Sequence, residues 1–160
     1  MLSFFGRFAR VGRLPGPLRE RLDAEGIIHV AERVPVRQRF SGSIPGTASA
    51  TSVRRHTGVV VFTRARLYAL LPTVPRLNGP AIDQRWDAEQ IGPAKVTISD
   101  SGVLLDLELR HIDARFHGDC SLQYKTAVPD DVLSALPQRS LRFDVKPEYV
   151  FHMLGVRVLA

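Results

Sequence analysis

The residues best suited to chemistry lie in one polar stretch, His111, Asp113, Arg115, His117, Asp119 and Cys120. On a continuous strand the odd-numbered positions would share a face, and imidazole and carboxylate groups bind divalent metals. Cys120 beside His117 would alternatively pair a nucleophile with a base. Arg115 would repel a cation from the centre of the stretch. A solvated polar strand face with a turn at Gly118 explains the same residues, so we predict no metal ligand and no catalytic residue.

Motifs for other enzyme classes are missing from the sequence. There is no Walker glycine-lysine loop, no G-x-S-x-G elbow, no H-E-x-x-H and no G-x-G-x-x-G. No cofactor is predicted either. We therefore expect a protein that binds a partner and does not catalyse a reaction. The weakest alternative is an enzyme or small-ligand carrier that uses the mouth of a barrel, with the face from His111 to Asp119 as its site.

Arginine is the residue that stands out by placement. From Arg33 to Ile82 the chain has eight arginines and no Asp or Glu. A guanidinium group offers a fork of donors that suits phosphate and carboxylate. The candidate anion-binding residues are Arg33, Arg37, Arg39, Arg54, Arg55, Arg64 and Arg66. The alternative is genomic bias, because only three of the 22 basic residues are lysine.

The net charge of +6 is concentrated in the first part of the chain. Residues 1–66 have twelve basic and four acidic side chains, whereas the remainder has ten basic and twelve acidic ones. This asymmetry favours an anionic partner, either membrane headgroups or a phosphorylated ligand. Nucleic acid is a weaker expectation, because the sequence has no recognition helix and no aromatic ribonucleoprotein motif.

The N-terminal residues have an amphipathic helical pattern over positions 2–13. Aromatic residues occupy one half of the helical wheel and arginines the other, which is typical of a helix in a membrane interface. A helix docked on its own core, or on a second copy, would show the same pattern. The candidate contact residues are Phe4, Phe5, Arg7, Phe8, Arg10 and Arg13.

The apolar pattern predicts strands around a central hairpin at 58–71, whose run Val59 to Phe62 is too apolar to be wetted on either face. Residues 27–40 alternate with period two and place His29 and three arginines on one face. Residues 41–57 are rich in Ser, Thr and Gly and are expected to form a long loop. Residues 94–99 and 103–109 form a second hairpin, and strand continues over 112–125.

Two short helices and a C-terminal segment complete the prediction. Helices are expected at 17–25 and 129–136, where proline marks each start. A strand follows around Leu141 to Val145, and then an apolar segment, Tyr149 to Leu159, that packs on the core or on a second copy. The domains are thus a helical extension at 1–25, a β-rich domain at 26–137 and a C-terminal addition at 138–160.

The hairpin sequence Phe62-Thr63-Arg64-Ala65-Arg66-Leu67 resembles a pattern in the PH-like superfold, particularly in bacterial PH-like and GRAM domains. The predicted order, about seven strands and then a helix, is similar to these domains over residues 27–136. The resemblance implies a small, partly open antiparallel β-barrel or sandwich, mainly β, that acts as a non-enzymatic adaptor for lipid headgroups or protein partners. A protein-interaction or self-assembly module is the alternative.

Location follows from simple counts. One cysteine, Cys120, allows no internal disulfide, which fits a reducing compartment. No apolar run reaches the roughly 20 residues of a membrane span. Arginines interrupt the apolar N-terminus, which is unlike a signal peptide. We therefore expect a cytoplasmic protein, peripheral at the inner face of the membrane if its partner is lipid.

Overall fold

The structure is a computed structural model and describes residues 12–72 and 79–156. In this part of the chain eight antiparallel strands form one sheet in the order β4-β3-β2-β1-β7-β6-β5-β8. The strands are β1 (Ile27–Ile44), β2 (Thr47–Thr63), β3 (Arg66–Leu70), β4 (Ile82–Arg85), β5 (Ala94–Ser99), β6 (Gly102–Glu108), β7 (His117–Lys125) and β8 (Ser140–Phe143). The prediction of a mainly β, antiparallel fold is confirmed, with eight strands where about seven were expected.

The sheet curls into a nearly closed barrel whose open seam lies between β4 and β8. Side chains bridge this seam. Gln138 Nε2 donates to the carbonyl of Trp86 at 2.5 Å, and the Arg142 backbone N–H donates to Gln90 Oε1 at 2.7 Å. The Tyr149 hydroxyl donates to the carbonyl of Ala81 at 2.6 Å. These contacts satisfy backbone groups that would otherwise be unpaired at the two edges.

The three described helices are short and lie outside the sheet or against its open end. They are α1 (Gly16–Asp23), α2 (Asp130–Ala135) and α3 (Pro147–Met153). Val150 and Met153 of α3 are buried in the same core as the strands, so this part of the apolar C-terminal segment packs on its own barrel. The amphipathic pattern at 2–13 lies outside the described residues except for Gly12 and Arg13. No described helix has the length and hydropathy that a membrane crossing requires.

The predicted burial of Val59 to Phe62 is confirmed, because all four side chains are 0% exposed. Val60 and Phe62 point into the main core. Val59 and Val61 point outward into a second apolar cluster with Leu14 and Leu22. The segment 12–26, which contains α1, therefore covers one end of the outer face of the sheet and leaves the other end to solvent.

The expected loop at 41–57 is wrong. β1 continues to Ile44, a turn at Pro45-Gly46 follows, and β2 begins at Thr47. Gly46 has a φ of 97°, a conformation that glycine adopts without strain. Thr and Ser in this stretch have no apolar alternation, but the antiparallel ladder to β1 pairs residues 47–57 with residues 35–44.

A β-bulge interrupts β1 and reverses its alternation. The register to β2 shifts between Ala31 and Val34, and Arg33 has a φ of 52° at this point. Beyond the bulge the even-numbered residues, Val34 to Phe40, point inward. The bulge also binds the N-terminal segment, because Glu32 Oε2 accepts the Leu14 N–H at 2.6 Å and the Arg33 N–H donates to the carbonyl of Gly12.

Candidate anion-binding face

Three of the predicted arginines meet on the outer face of the sheet. Arg37 of β1 lies directly opposite Arg55 of β2, and Arg39 lies opposite Val53. Directly opposite residues of an antiparallel pair share a face, with Cβ atoms roughly 5 Å apart. All three arginines are exposed, whereas the alternate β1 residues, Val36, Gln38 and Phe40, are buried. We call Arg37, Arg39, Arg55 and the neighbouring Lys125 the cationic face.

Lys125 joins this face from the next strand. β7 pairs with β1, and Val36 lies opposite Tyr124, so Lys125 continues the outer row beside Pro35. The four outward side chains Pro35, Arg37, Val53 and Arg55 line a shallow groove of about 590 Å³ together with Lys125. Val53 is 46% exposed, which places an apolar contact between the charges.

No acidic residue among the described residues lines this groove. Carboxylates within 4.0 Å are recorded for Arg66, Arg85 and Arg115 in the described part of the chain, but not for Arg37, Arg39 or Arg55. Like charges directly opposite each other on neighbouring strands are destabilising. An anionic ligand would remove this repulsion.

The cationic face ends where acidic residues begin. A row of directly paired residues crosses five strands in the order Arg39, Ser121, Asp106, Lys95 and Arg142. Burial, and to a smaller extent the charge of Asp119, raise the pKa of Asp106. Arg39, Lys95 and Arg142 line a neighbouring pocket together with Asp106, Glu108 and Asp119, so the charges balance there and the excess of positive charge lies on the β1–β2 side of Arg39.

The remaining predicted arginines lie elsewhere. Arg54 precedes Arg55 in β2 and therefore points to the opposite face of the strand, where it lies beside Gly155. Arg64 is at the β2–β3 tip with its side chain over Gly26, about 30 Å along the strand from Arg55. Arg33 is in the bulge of β1. The sequence candidates thus do not form one surface.

Arg66 is engaged in a structural network. Its Nη2 lies 2.7 Å from Glu25 Oε2 and its Nη1 2.9 Å from Asp83 Oδ1. The hydrogen bonds that Arg66 donates to Glu25 and then to Asp83 raise the pKa of Arg66. Thr63 Oγ1 accepts the backbone N–H groups of Ala65 and Arg66 and so closes the hairpin tip. These bonds fasten the turn between α1 and β1 to the hairpin and leave Arg66 little capacity for a ligand.

His56 lies behind the groove, on the inner side of β2. Its Nε2 is 2.8 Å from Oε1 of Gln38, which is itself 2% exposed. Burial and then the charge of Arg54 lower the pKa of His56. The imidazole is therefore held neutral at physiological pH and does not add to the positive charge.

The histidine-rich stretch does not form a strand face. Leu109–His111 is a 3₁₀ turn, and β7 begins only at His117. Asp113 accepts two guanidinium hydrogen bonds from Arg115, which lower the pKa of Asp113 to about 2. The described residues contain no group of three or more His, Cys, Asp or Glu that could hold a metal ion. Burial raises the pKa of the Cys120 thiol to about 12, which removes its nucleophilic character.

Lys125, Val53 and Pro35 line the groove but were not predicted as site residues from the sequence. Lys125 is 70 positions from Arg55 in the chain, and only the pairing of β1 with β7 brings it near.

Of the membrane-contact candidates, Phe4, Phe5, Arg7, Phe8 and Arg10 lie outside the described residues, and Arg13 is exposed. Gly12 lies against Thr57 and Arg33, so the chain reaches the outer face two residues from Arg55.

Comparison of the chain with protein-family models, with curated proteins and with solved structures found no match.

Proposed function

We propose that this chain is a non-enzymatic, PH-like binding module that recognises an anionic membrane surface through its cationic face. The observation that carries the proposal is the set of exposed side chains Arg37, Arg39 and Arg55 on one outer face, which have no carboxylate within 4.0 Å among the described residues. Arg37 and Arg55 also line one groove with Lys125. Near an anionic bilayer each basic side chain contributes about 1 kcal/mol, so four together give useful affinity.

Two further features favour a membrane over a free phosphate. Val53 is exposed between the arginines and can enter the headgroup region as an apolar contact. The aromatic residues Phe4, Phe5 and Phe8 precede Gly12, which lies against the same outer face. In sequence, the aromatic residues and arginines of positions 2–13 have the amphipathic pattern of helices that lie in a membrane interface.

The PH-like part of the proposal rests on the order of the strands and helices along the chain and on the sequence of the β2–β3 hairpin. Seven antiparallel strands are followed by α2, as in the resemblance drawn from Phe62 to Leu67. β8 and α3 are additions that continue the sheet and fill its open end. The corresponding location is cytoplasmic, peripheral at the inner face of the membrane.

Vesicle co-sedimentation tests the proposal. The full chain is mixed with vesicles of neutral phosphatidylcholine and with vesicles that also contain phosphatidylserine, at low and at physiological salt. Binding is expected to the acidic vesicles only, and to weaken as salt screens the charges. The double variant Arg37→Glu/Arg55→Glu should lose this binding.

The control is Arg110→Glu/Arg139→Glu, which changes the net charge by the same amount at exposed residues away from the groove. It should retain most of the binding. Equal binding to neutral and acidic vesicles, or equal loss in the two double variants, would contradict the proposal.

A further inference from the structure

One long edge of β2 has no strand beside it. β2 extends over 17 residues, Thr47–Thr63, and pairs with β1 along its length. β3 pairs only with Val59 to Phe62 on the other side. Residues 47–55 therefore have β1 on one side and, among the described strands, none on the other. We call residues 47–55 the free edge.

Apart from the carbonyl of Ala50, which accepts hydrogen bonds from the Ser41 and Thr51 hydroxyls, the backbone of the free edge is available for pairing. In an antiparallel ladder every second residue directs its N–H and C=O away from its partner strand. In the described part of the chain no backbone–backbone hydrogen bond from a loop, a turn or another element involves residues 47–55. At about 3.3 Å per residue the free edge is about 30 Å long, which suits an extended peptide of nine residues.

The charges at the free edge select the kind of peptide. Residues 47–55 contain no Asp or Glu and end in Arg54-Arg55. These two side chains point to opposite faces, and Arg37 and Arg39 extend the positive charge on the outer face. A strand laid along the edge would therefore meet arginine on both of its faces. Acidic side chains are complementary on either side.

We infer that the free edge of β2 takes an acidic, extended segment of a partner protein as an added strand. Peptide addition to a sheet edge gains affinity from main-chain hydrogen bonds and specificity from alternate side chains. Here Arg54 would contact one face of the peptide, and Arg55 with the exposed Val53 the other. A second copy of this chain fits less well, because its own edge would bring Arg54 and Arg55 against like charges.

Fluorescence anisotropy with the full chain tests the inference. The probe is a fluorescein-labelled nine-residue peptide of alternating glutamate and threonine. A second peptide carries N-methyl groups on three alternate central amides, and a third on three consecutive ones. Methylation of alternate amides leaves the N–H groups on one edge of the peptide intact, so its affinity should stay within about threefold of that of the unmodified peptide. Methylation of consecutive amides interrupts both edges and should weaken binding at least about tenfold.

The protein side provides a second measurement. Addition of the unmodified peptide should slow hydrogen exchange at alternate amides within residues 47–55, and Arg54→Glu/Arg55→Glu should weaken peptide binding. Arg110→Glu/Arg139→Glu is again the matched control. Equal binding of all three peptides would show adsorption by charge alone and would overturn the inference, as would protection outside the free edge or no binding at low salt.

This inference and the membrane proposal can fail separately. Vesicle binding is expected to depend on the charges of Arg37 and Arg55 and to require no main-chain hydrogen bonds. Peptide binding is expected to depend both on the amide N–H groups of the peptide and on the charges of the protein. If the chain binds acidic vesicles but peptide binding does not depend on amide methylation, only the membrane proposal stands. If peptide binding depends on amide methylation but the chain does not bind vesicles, only the added-strand inference stands.

Discussion

Arg37 of β1 and Arg55 of β2 are directly opposite each other on the outer face of the sheet. The pair is exposed, and neither side chain has a carboxylate within 4.0 Å in the described part of the chain. Such a pair opposes folding by a fraction of a kcal/mol. A ligand that neutralises the pair would gain part of its binding free energy by removing this repulsion. The same two residues would then lower the stability of the free protein and favour ligand binding.

Arg37→Glu is expected to stabilise the fold by about 0.5–1 kcal/mol, because repulsion from Arg55 becomes attraction. Urea denaturation measures the change. Arg37→Gln should give a smaller gain, and Arg37→Glu/Arg55→Glu should give none, since two carboxylates again repel. A gain in stability no larger for Arg37→Glu than for Arg37→Gln would show that the two guanidinium groups do not interact.

The bonds between Glu25 and Arg66 are expected to stabilise the hairpin tip and not to bind ligand. Arg66→Ala should lower the free energy of unfolding by about 1–2 kcal/mol, because it breaks partly buried, charge-assisted hydrogen bonds. In a double-mutant cycle with Glu25→Ala the two effects should not add. Additive losses would mean that the pair is not coupled. Vesicle binding by the folded Arg66→Ala variant should stay close to that of the wild type.

His56 should make the fold less stable in mild acid. Burial and Arg54 lower the pKa of His56 below its unfolded value of about 6.5, so the unfolded chain binds the proton more readily. The stability due to neutral His56 is complete above pH 6.5 and is lost as the pH falls towards the folded pKa. The urea midpoint should therefore decrease less between pH 7.5 and pH 5.5 for His56→Gln than for the wild type. An equal or larger fall in the variant would contradict this assignment.

Cys120 should be inert in the native protein. It is 1% exposed, and burial raises the pKa of its thiol to about 12, so the reactive thiolate is scarce at pH 8. A disulfide reagent such as DTNB is expected to label one thiol per chain in urea and almost none without it. Rapid labelling of the folded protein would show that the core around Cys120 opens more readily than its burial indicates.

Local patterns in the sequence were sufficient for most of the strands. Strict alternation at 94–99 and 103–109 predicted the hairpin of β5 and β6, and the apolar run at Val59 predicted burial on both faces. The stretch Thr47 to Ser52 failed because Thr, Ala and Ser give no apolar period. Its strand depends on a ladder to β1, a tertiary contact that single-sequence patterns do not contain.

The candidate site was predicted only in part, for related reasons. Recognition of β2 as a strand would have placed Arg54 and Arg55 on opposite faces, because side chains alternate. The bulge at Glu32-Arg33 reverses the phase of β1 without any apolar signal, so the arginines of the predicted strand 27–40 are not equivalent. Lys125 lies on the cationic face because the curled sheet places β7 beside β1. The position of Lys125 in the sequence gives no indication of that contact.

Neighbouring arginines on opposite faces provide the most direct measurement of the membrane proposal. Partitioning onto vesicles that contain phosphatidylserine is measured for Arg55→Glu and for Arg54→Glu, two variants of equal charge. Arg55→Glu is expected to bind about 30-fold more weakly than the wild type, since the reversal counts twice at about 1 kcal/mol per charge, and Arg54→Glu no more than about threefold. Equal losses in the two variants, or a larger loss for Arg54→Glu, would contradict docking through the outer face.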